Sequence, residues 1–163
     1  MEARTLHAPL DALSAANRPQ GIEIATLTTF DIPALAVLTL EAYDDAVTPE
    51  ALLETSEELR LTFEGAFGAT TEDSFIGAWD GGTLIGAILV VRESPWDDAP
   101  DGPFVVDLIV APDYRRRGIA TALVSEVASR CSQWGFDTLT LRLDTRHGGA
   151  HDLYSVLGFE EIA

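Results

Sequence analysis

The chain has 163 residues, 47% of them hydrophobic, which suits one globular domain with a real core and leaves too little for two. Its 27 acidic and 10 basic residues give a formal net charge of -17, and every basic residue is arginine, a balance that argues against nonspecific binding to nucleic acid or an anionic membrane. The one cysteine, Cys131, excludes an internal disulfide, and the longest apolar run, Leu84 to Val91, is too short to span a bilayer.

The N-terminus reads Met-Glu-Ala-Arg and has no apolar core of a secretory signal, so the expected location is the cytoplasm. Acidity without lysine fits a salt-loving source, where salt would screen the self-repulsion; a GC-rich coding sequence explains the missing lysine equally well, but not the acidity. Residues 1–20 carry two prolines and no sustained period, which predicts an N-terminal arm ahead of a domain at 21–163.

From Gly21, the positions Ile22, Ile24 and Leu27 suggest a strand. Thr28-Thr29-Phe30-Asp31 with Pro33 marks a helix entrance, followed by Ile32, Leu35, Ala36, Leu40 and Tyr43 at helical spacing. Thr48-Pro49-Glu50 repeats that signal for a second helix with apolar points Leu52, Leu53, Leu59 and Phe63, ended by Gly65 or Gly68. Residues 74–79 and 83–91 flank Asp80-Gly81-Gly82 and predict an antiparallel hairpin, its second strand apolar at both parities and therefore central.

Glu93 to Gly102 is rich in Pro, Gly and Asp and cannot continue a strand. It reads either as an ordinary solvated loop or as an acidic lip, in which Asp97 and Asp98 attract a cationic amine and Trp96 carries its apolar part. Phe104 to Val110 is the next strand. Asp107 interrupts it, sharing a face with Val105 and Ile109 by strict alternation, and so is a candidate general base; a strand distortion or a salt bridge to arginine would also account for it.

Next come Pro112, the arginines Arg115, Arg116 and Arg117, Gly118, and a helical stripe of Ile119, Leu123, Val124, Val127, Ala128 and Cys131. Strand, cationic turn and helix in this order make an anion site: the first amides of a helix lack intrahelical acceptors, and the peptide dipoles add positive charge there. Cys131 reads as a small buried hydrophobe. Gly135 ends the helix, and Thr138 to Leu143 alternates as a strand lying parallel to the one at 104–110. Ala150, Leu153 and Leu157 give a short last helix, and Phe159 to Ile162 begins a strand.

The spacing Arg115-x-x-Gly118-x-Ala120 between strand and helix resembles the acyl-CoA pyrophosphate loop of the GNAT-type N-acetyltransferases, and Ala150-x-x-Leu153-Tyr154-x-x-x-Gly158-Phe159 resembles that family's second signature. The resemblance implies a single α/β domain: a mixed, mostly antiparallel sheet with helices on both faces and a parallel pair splayed at the acyl-CoA cleft. It implies acetyl-CoA as co-substrate, held at Ile109, Val110, Arg115, Arg116, Arg117, Gly118, Ile119, Ala120 and Thr121, with backbone amides near Ile109 and Val110 on the thioester carbonyl. Tyr154 matches the tyrosine that protonates the leaving thiolate; packing within the last helix is its other reading.

The implied acceptor is a primary amine of a small molecule or peptide, and the acidity suggests a cationic one. No metal is expected, since His7, His147 and His151 lack companions at ligand spacing. His147 stands where the signature usually has Asn, and relatives usually continue through another strand beside the one at 138–143. Residues 1–20 or a second subunit would have to fill that place, which leaves a homodimer open. A module that binds acyl-CoA without catalysis is the alternative to an enzyme.

Overall fold

The computed structural model describes residues 3–10, 19–70, 72–93, 102–144 and 159–161. The expectations for Trp96, Asp97, Asp98, His147, Tyr154 and the last helix lie outside the described residues. Among the described residues seven strands form one sheet in the order β2-β3-β4-β5-β6-β1-β7. They are β1 Ala3–Pro9, β2 Ile22–Thr26, β3 Phe75–Asp80, β4 Thr83–Val91, β5 Phe104–Val110, β6 Thr138–Asp144 and β7 Glu160–Glu161. Every neighbouring pair is antiparallel except β5 with β6.

Among the described residues three helices cover the sheet: α1 Ile32–Ala42, α2 Pro49–Phe63 and α3 Ile119–Gln133. A Cβ on Gly86 of β4 would sit 3.0 Å from Ile119 and 3.3 Å from Leu123, so α3 packs closely on that face because the residue is glycine. Leu89, three residues on and hence on the other face, lines a cavity with Thr39 of α1 and Leu59 of α2. The sheet is thus the middle of three layers, and Leu84 to Val91 is buried throughout, as a central strand must be.

The helix starts follow their local chemistry. The Thr28 hydroxyl accepts from the Phe30 amide (3.3 Å) while Asp31 accepts from the Thr28 amide (2.8 Å), and this box opens a 3-10 turn, Thr29–Asp31, that runs into α1. Thr48 caps α2 through the Ala51 amide at 3.1 Å, with Pro49 in its first turn. One expected core position fails: Leu53 is 74% exposed. The inward stripe of α2 is Leu52, Thr55, Leu59 and Thr62, and Leu53 lies about 100° round the helix from Leu52.

Between β3 and β4 the turn is Gly81-Gly82, with Asp80 opposite Thr83 and Gly81 in the left-handed region at φ 61°. The far end of α3 is pinned by Arg130, which donates to the Thr26 hydroxyl (2.8 Å) and the Asp73 carbonyl (2.9 Å). All six positions expected on the buried stripe of α3 are buried. Burial pushes the Cys131 thiol up to about 12. A disulfide reagent at pH 8 should therefore label the folded protein slowly and the urea-unfolded protein at once; rapid stoichiometric labelling of the native state would refute this packing.

Residues 3–9, expected as part of a lead-in arm, are a strand of the sheet. β1 pairs antiparallel with β6, Leu6 opposite Leu141 and Ala8 opposite Leu139, and on its other edge carries β7. This is the place beside β6 that the resemblance left to be filled. Its physical basis is plain: Leu6, Ala8 and Leu10 are all buried, so the segment contributes to the core that a solvated arm would leave exposed.

Candidate active site

The cationic turn is built as strand, turn and helix. After β5 a short 3-10 turn, Pro112–Tyr114, leads to Arg115, and the chain is left-handed at Arg116 (φ 62°) and Gly118 (φ 80°) before α3 begins. A Cβ on Gly118 would meet nothing nearer than Pro19 at 3.9 Å, so glycine is required here by backbone conformation and not by space. The Ala122 amide donates to the Gly118 carbonyl at 3.0 Å. The preceding amides, Gly118 to Thr121, have no acceptor within the helix and form the anion-facing end.

The three arginines do different things. Arg115 is a brace: its Nε donates to the Val110 carbonyl (3.3 Å) and its guanidinium to the Ala42 carbonyl at the end of α1 (2.6 Å). Arg117 lies 5.0 Å above the ring of Tyr114, whose hydroxyl donates to Asp80 at 2.5 Å. That bond to the Asp80 carboxylate, with desolvation and negative charge adding to it, holds the Tyr114 phenol above its ordinary range. Arg116 and Arg117 are exposed beside the open amides.

β5 and β6 pair only at Phe104/Thr140 and Val105/Leu141, so among the described residues the parallel ladder stops there and the strands part towards the turn. Gly86 stands opposite Val110, and the Ala111 amide donates to the Ile85 carbonyl at 2.8 Å. Antiparallel pairs alternate between bonded and non-bonded, so Ile109 turns its amide to β4, while Leu108 and Val110 turn theirs away, into the widening gap. This corrects the expectation for Ile109 and adds Leu108. Sequence carries no signal for it, because the choice depends on which β4 residue each one faces.

The register on β4 slips between Leu89, opposite Asp107, and Val90, opposite Val105. Val106 is the extra residue of a bulge, and it reverses the side-chain alternation at that point. Asp107 therefore shares the α1–α2 face with Ile109 but not with Val105, a second correction to strict alternation. The Tyr43 hydroxyl, at the end of α1, donates to Asp107 Oδ1 at 2.5 Å. Asp107 and Val106 both line a cavity of about 270 Å³ between β5, α1 and α2, with Thr39, Tyr43, Glu58 and Phe67 on its other walls. Among the described residues the structure thus brings together, on one strand, a half-buried carboxylate, two outward amides and the cationic turn.

Residues 38–159 match the profile of the Acetyltransferase (GNAT) family. The chain belongs to this family. None of the curated proteins matches it in sequence. Solved structures similar to it include a GCN5-related N-acetyltransferase from Sphaerobacter thermophilus, at 22% identity and a TM-score of 0.70, which covers 98% of this chain and 48% of that one. A protein of Pyrococcus horikoshii OT3 aligns at 17% identity and 0.73, over 87% of this chain and 90% of its own. The aminoglycoside 6'-N-acetyltransferase AAC(6')-Ih of Acinetobacter baumannii aligns at 21% and 0.66, over 88% and 93%. At these identities the likeness is one of fold, and the chain spans about half the length of the first.

Acetyl transfer is the general chemistry of the GNAT family, with acetyl-CoA as the family's donor. The residues present suit that donor: a left-handed glycine, four amides without helical acceptors and two exposed arginines make up the turn, and two outward strand amides precede it. Sequence reasoning found the turn and Asp107. It missed Tyr43, Leu108 and Glu58, which depend on contacts between distant segments.

Proposed function

We propose that the chain transfers an acetyl group from acetyl-CoA to a primary amine of a small molecule or peptide, by direct attack in a ternary complex. One observation carries this reading: the cavity at Asp107 and the open amides of Leu108 and Val110 adjoin on the strand that leads into the cationic turn. An acceptor in the first would lie next to a donor along the second. The acidic balance and the carboxylates of the cavity favour a cationic acceptor, and the loop carrying Trp96, Asp97 and Asp98 would add to that attraction.

Acetyl-CoA supplies an activated thioester acetyl. A primary ammonium has a pKa near ~10.4, so at neutral pH it must lose a proton before it can attack. Asp107 takes that proton, directly or through water, and Tyr43 orients the carboxylate. The amides of Leu108 and Val110 stabilise negative charge on the carbonyl oxygen as the nitrogen–carbon bond forms and the carbon–sulfur bond breaks. Gly118 to Thr121, with Arg116 and Arg117, hold the pyrophosphate, and Arg115 keeps the turn fixed to α1.

By resemblance, Tyr154 returns a proton to the leaving sulfur. Tyr154→Phe should lower kcat about 10²-fold with little change in acetyl-CoA affinity, measured by steady-state kinetics and calorimetry; a near-normal kcat would assign Tyr154 to packing. Gly118→Ala puts a side chain on a left-handed residue, at about 1–2 kcal/mol. Moving the backbone relieves that strain but displaces the amides. The expected result is about tenfold weaker acetyl-CoA binding with a melting temperature only a few degrees lower; unchanged affinity would remove these amides from the site.

The function itself is tested by acetyl-CoA calorimetry together with a thiol-release screen over an amine panel, each product confirmed by mass. Binding with acetylated product supports the reading. Binding without turnover on any amine favours an acyl-CoA-binding module, and no binding rejects both.

A further inference from the structure

The lining of the Asp107 cavity carries more than a general attraction for cations. We infer that Glu58 is a specificity-determining residue that seats a second positive charge on the acceptor, so that the preferred substrate is a short dication, such as an alkane diamine, over a neutral-tailed amine or an amino acid. This rests on the acetyl-transfer reading above.

Glu58 lies at the edge of the inward stripe of α2, exposed but lining the cavity. Thr55, Leu59 and Thr62, its neighbours on that helix, line the same cavity, and a charge at this position breaks an otherwise uncharged face. It is also left uncompensated. Arg60, the single basic residue of α2, bonds Glu57 and also Glu64 at 2.6 Å, so both its arms are taken by carboxylates other than Glu58. Glu58 is exposed at the cavity wall and has no ion pair among the described residues.

Its partner in the cavity is Asp107, whose role is to meet the reacting amine. No arginine or histidine is among the described lining residues. Among the described lining residues a substrate carboxylate would meet the carboxylates of Asp107 and Glu58, whereas a second ammonium would be attracted to Glu58. Besides the two carboxylates and the threonines Thr39, Thr55 and Thr62, the walls carry apolar Leu59, Leu89 and Val106, and two half-exposed aromatic rings, Tyr43 and Phe67. Those surfaces suit an alkyl spacer and a cation against an aromatic face. The volume, about 270 Å³, lies just under the range of about 300–1,000 Å³ for drug-sized ligands and suits a short chain.

The test compares three amines of equal chain length, 1,4-diaminobutane, butylamine and 4-aminobutyrate, on the wild type, Glu58→Gln and Glu57→Gln, with saturating acetyl-CoA. The expected order in kcat/KM is diamine about tenfold above butylamine, with the amino acid lowest. Glu58→Gln should shrink the diamine-to-butylamine ratio to about two, and raised salt should shrink it in the wild type, because Glu58 is exposed. Glu57→Gln, on the same helix but outside the cavity, should keep the wild-type ratio.

Equal use of butylamine or 4-aminobutyrate by the wild type would overturn the inference, as would a ratio that Glu58→Gln leaves intact. Saturation-transfer NMR of the same amines in the presence of CoA gives a second readout. If no amine is acetylated, the transfer reading fails by itself. The NMR order then decides Glu58: a dication preference lost in Glu58→Gln supports its role, and no preference overturns it. Melting temperatures show that all variants are folded.

Discussion

Replacing Asp107 by asparagine should lower kcat/KM for amine acetylation about 10²–10³-fold at neutral pH, while acetyl-CoA affinity stays within about threefold. Asparagine is nearly isosteric, and its carbonyl can still accept the Tyr43 hydroxyl, so the wall of the cavity keeps its shape. On the proposed mechanism, what is lost is the group that removes the ammonium proton. The variant then depends on amine already neutral in solution, and its rate should climb about tenfold per pH unit towards the amine pKa near ~10.4. Steady-state rates between pH 6 and 10 check both parts. Activity within about threefold of wild type would leave Asp107 as a structural partner of Tyr43 in a distorted strand.

The second large effect is on stability and lies at the other end of the sheet. Leu6→Ala should cost about 2–4 kcal/mol, because Leu6 is 2% exposed, stands opposite Leu141 of β6 and belongs to one continuous core. For a chain of this size that is a fall of about 5–15 °C in melting temperature. Deleting residues 1–10 should do more and prevent cooperative folding. It strips seven register positions from β6, exposes Leu139 and Leu141, and leaves β7 without its neighbour. Urea unfolding of both variants is the measurement. An unchanged midpoint for Leu6→Ala would mean that β1 lies on the sheet without contributing to it.

Wherever the chemistry is local, the fold can be read from the chain. Thr28 and Thr48 announce their helices because a cap needs only a hydroxyl and an amide two or three residues on. Asp80-Gly81-Gly82 announces its hairpin because a two-residue turn needs a left-handed residue. The six apolar positions of α3 follow from a 3.6-residue period. Leu53 misled because two adjacent leucines on a helix cannot both face inward, and which one does is settled by the sheet beneath.

The candidate site divides along the same line. The turn from Arg115 to Ala120 was legible, but not that Arg115 spends its side chain on the Val110 and Ala42 carbonyls while its two neighbours do not. Asp107 stood out as a charge in an apolar strand. Its face was misjudged because alternation assumes a regular ladder, and the bulge at Val106 exists only in the pairing with β4. The partner that orients it, Tyr43, is 64 residues away, beyond any spacing rule.

By itself, then, the sequence determined the α/β class, the caps and turns, the anion-facing turn and the charge of the molecule, because each depends on residues within a turn or two of one another. The tertiary structure decided the rest: that residues 3–9 complete the sheet beside β6, that Leu108 and Val110 open their amides to the cleft, and that Asp107, Tyr43 and Glu58 meet around one cavity. Those arrangements are set by register and by the packing of segments far apart in the chain, and register is fixed only when the strands have met.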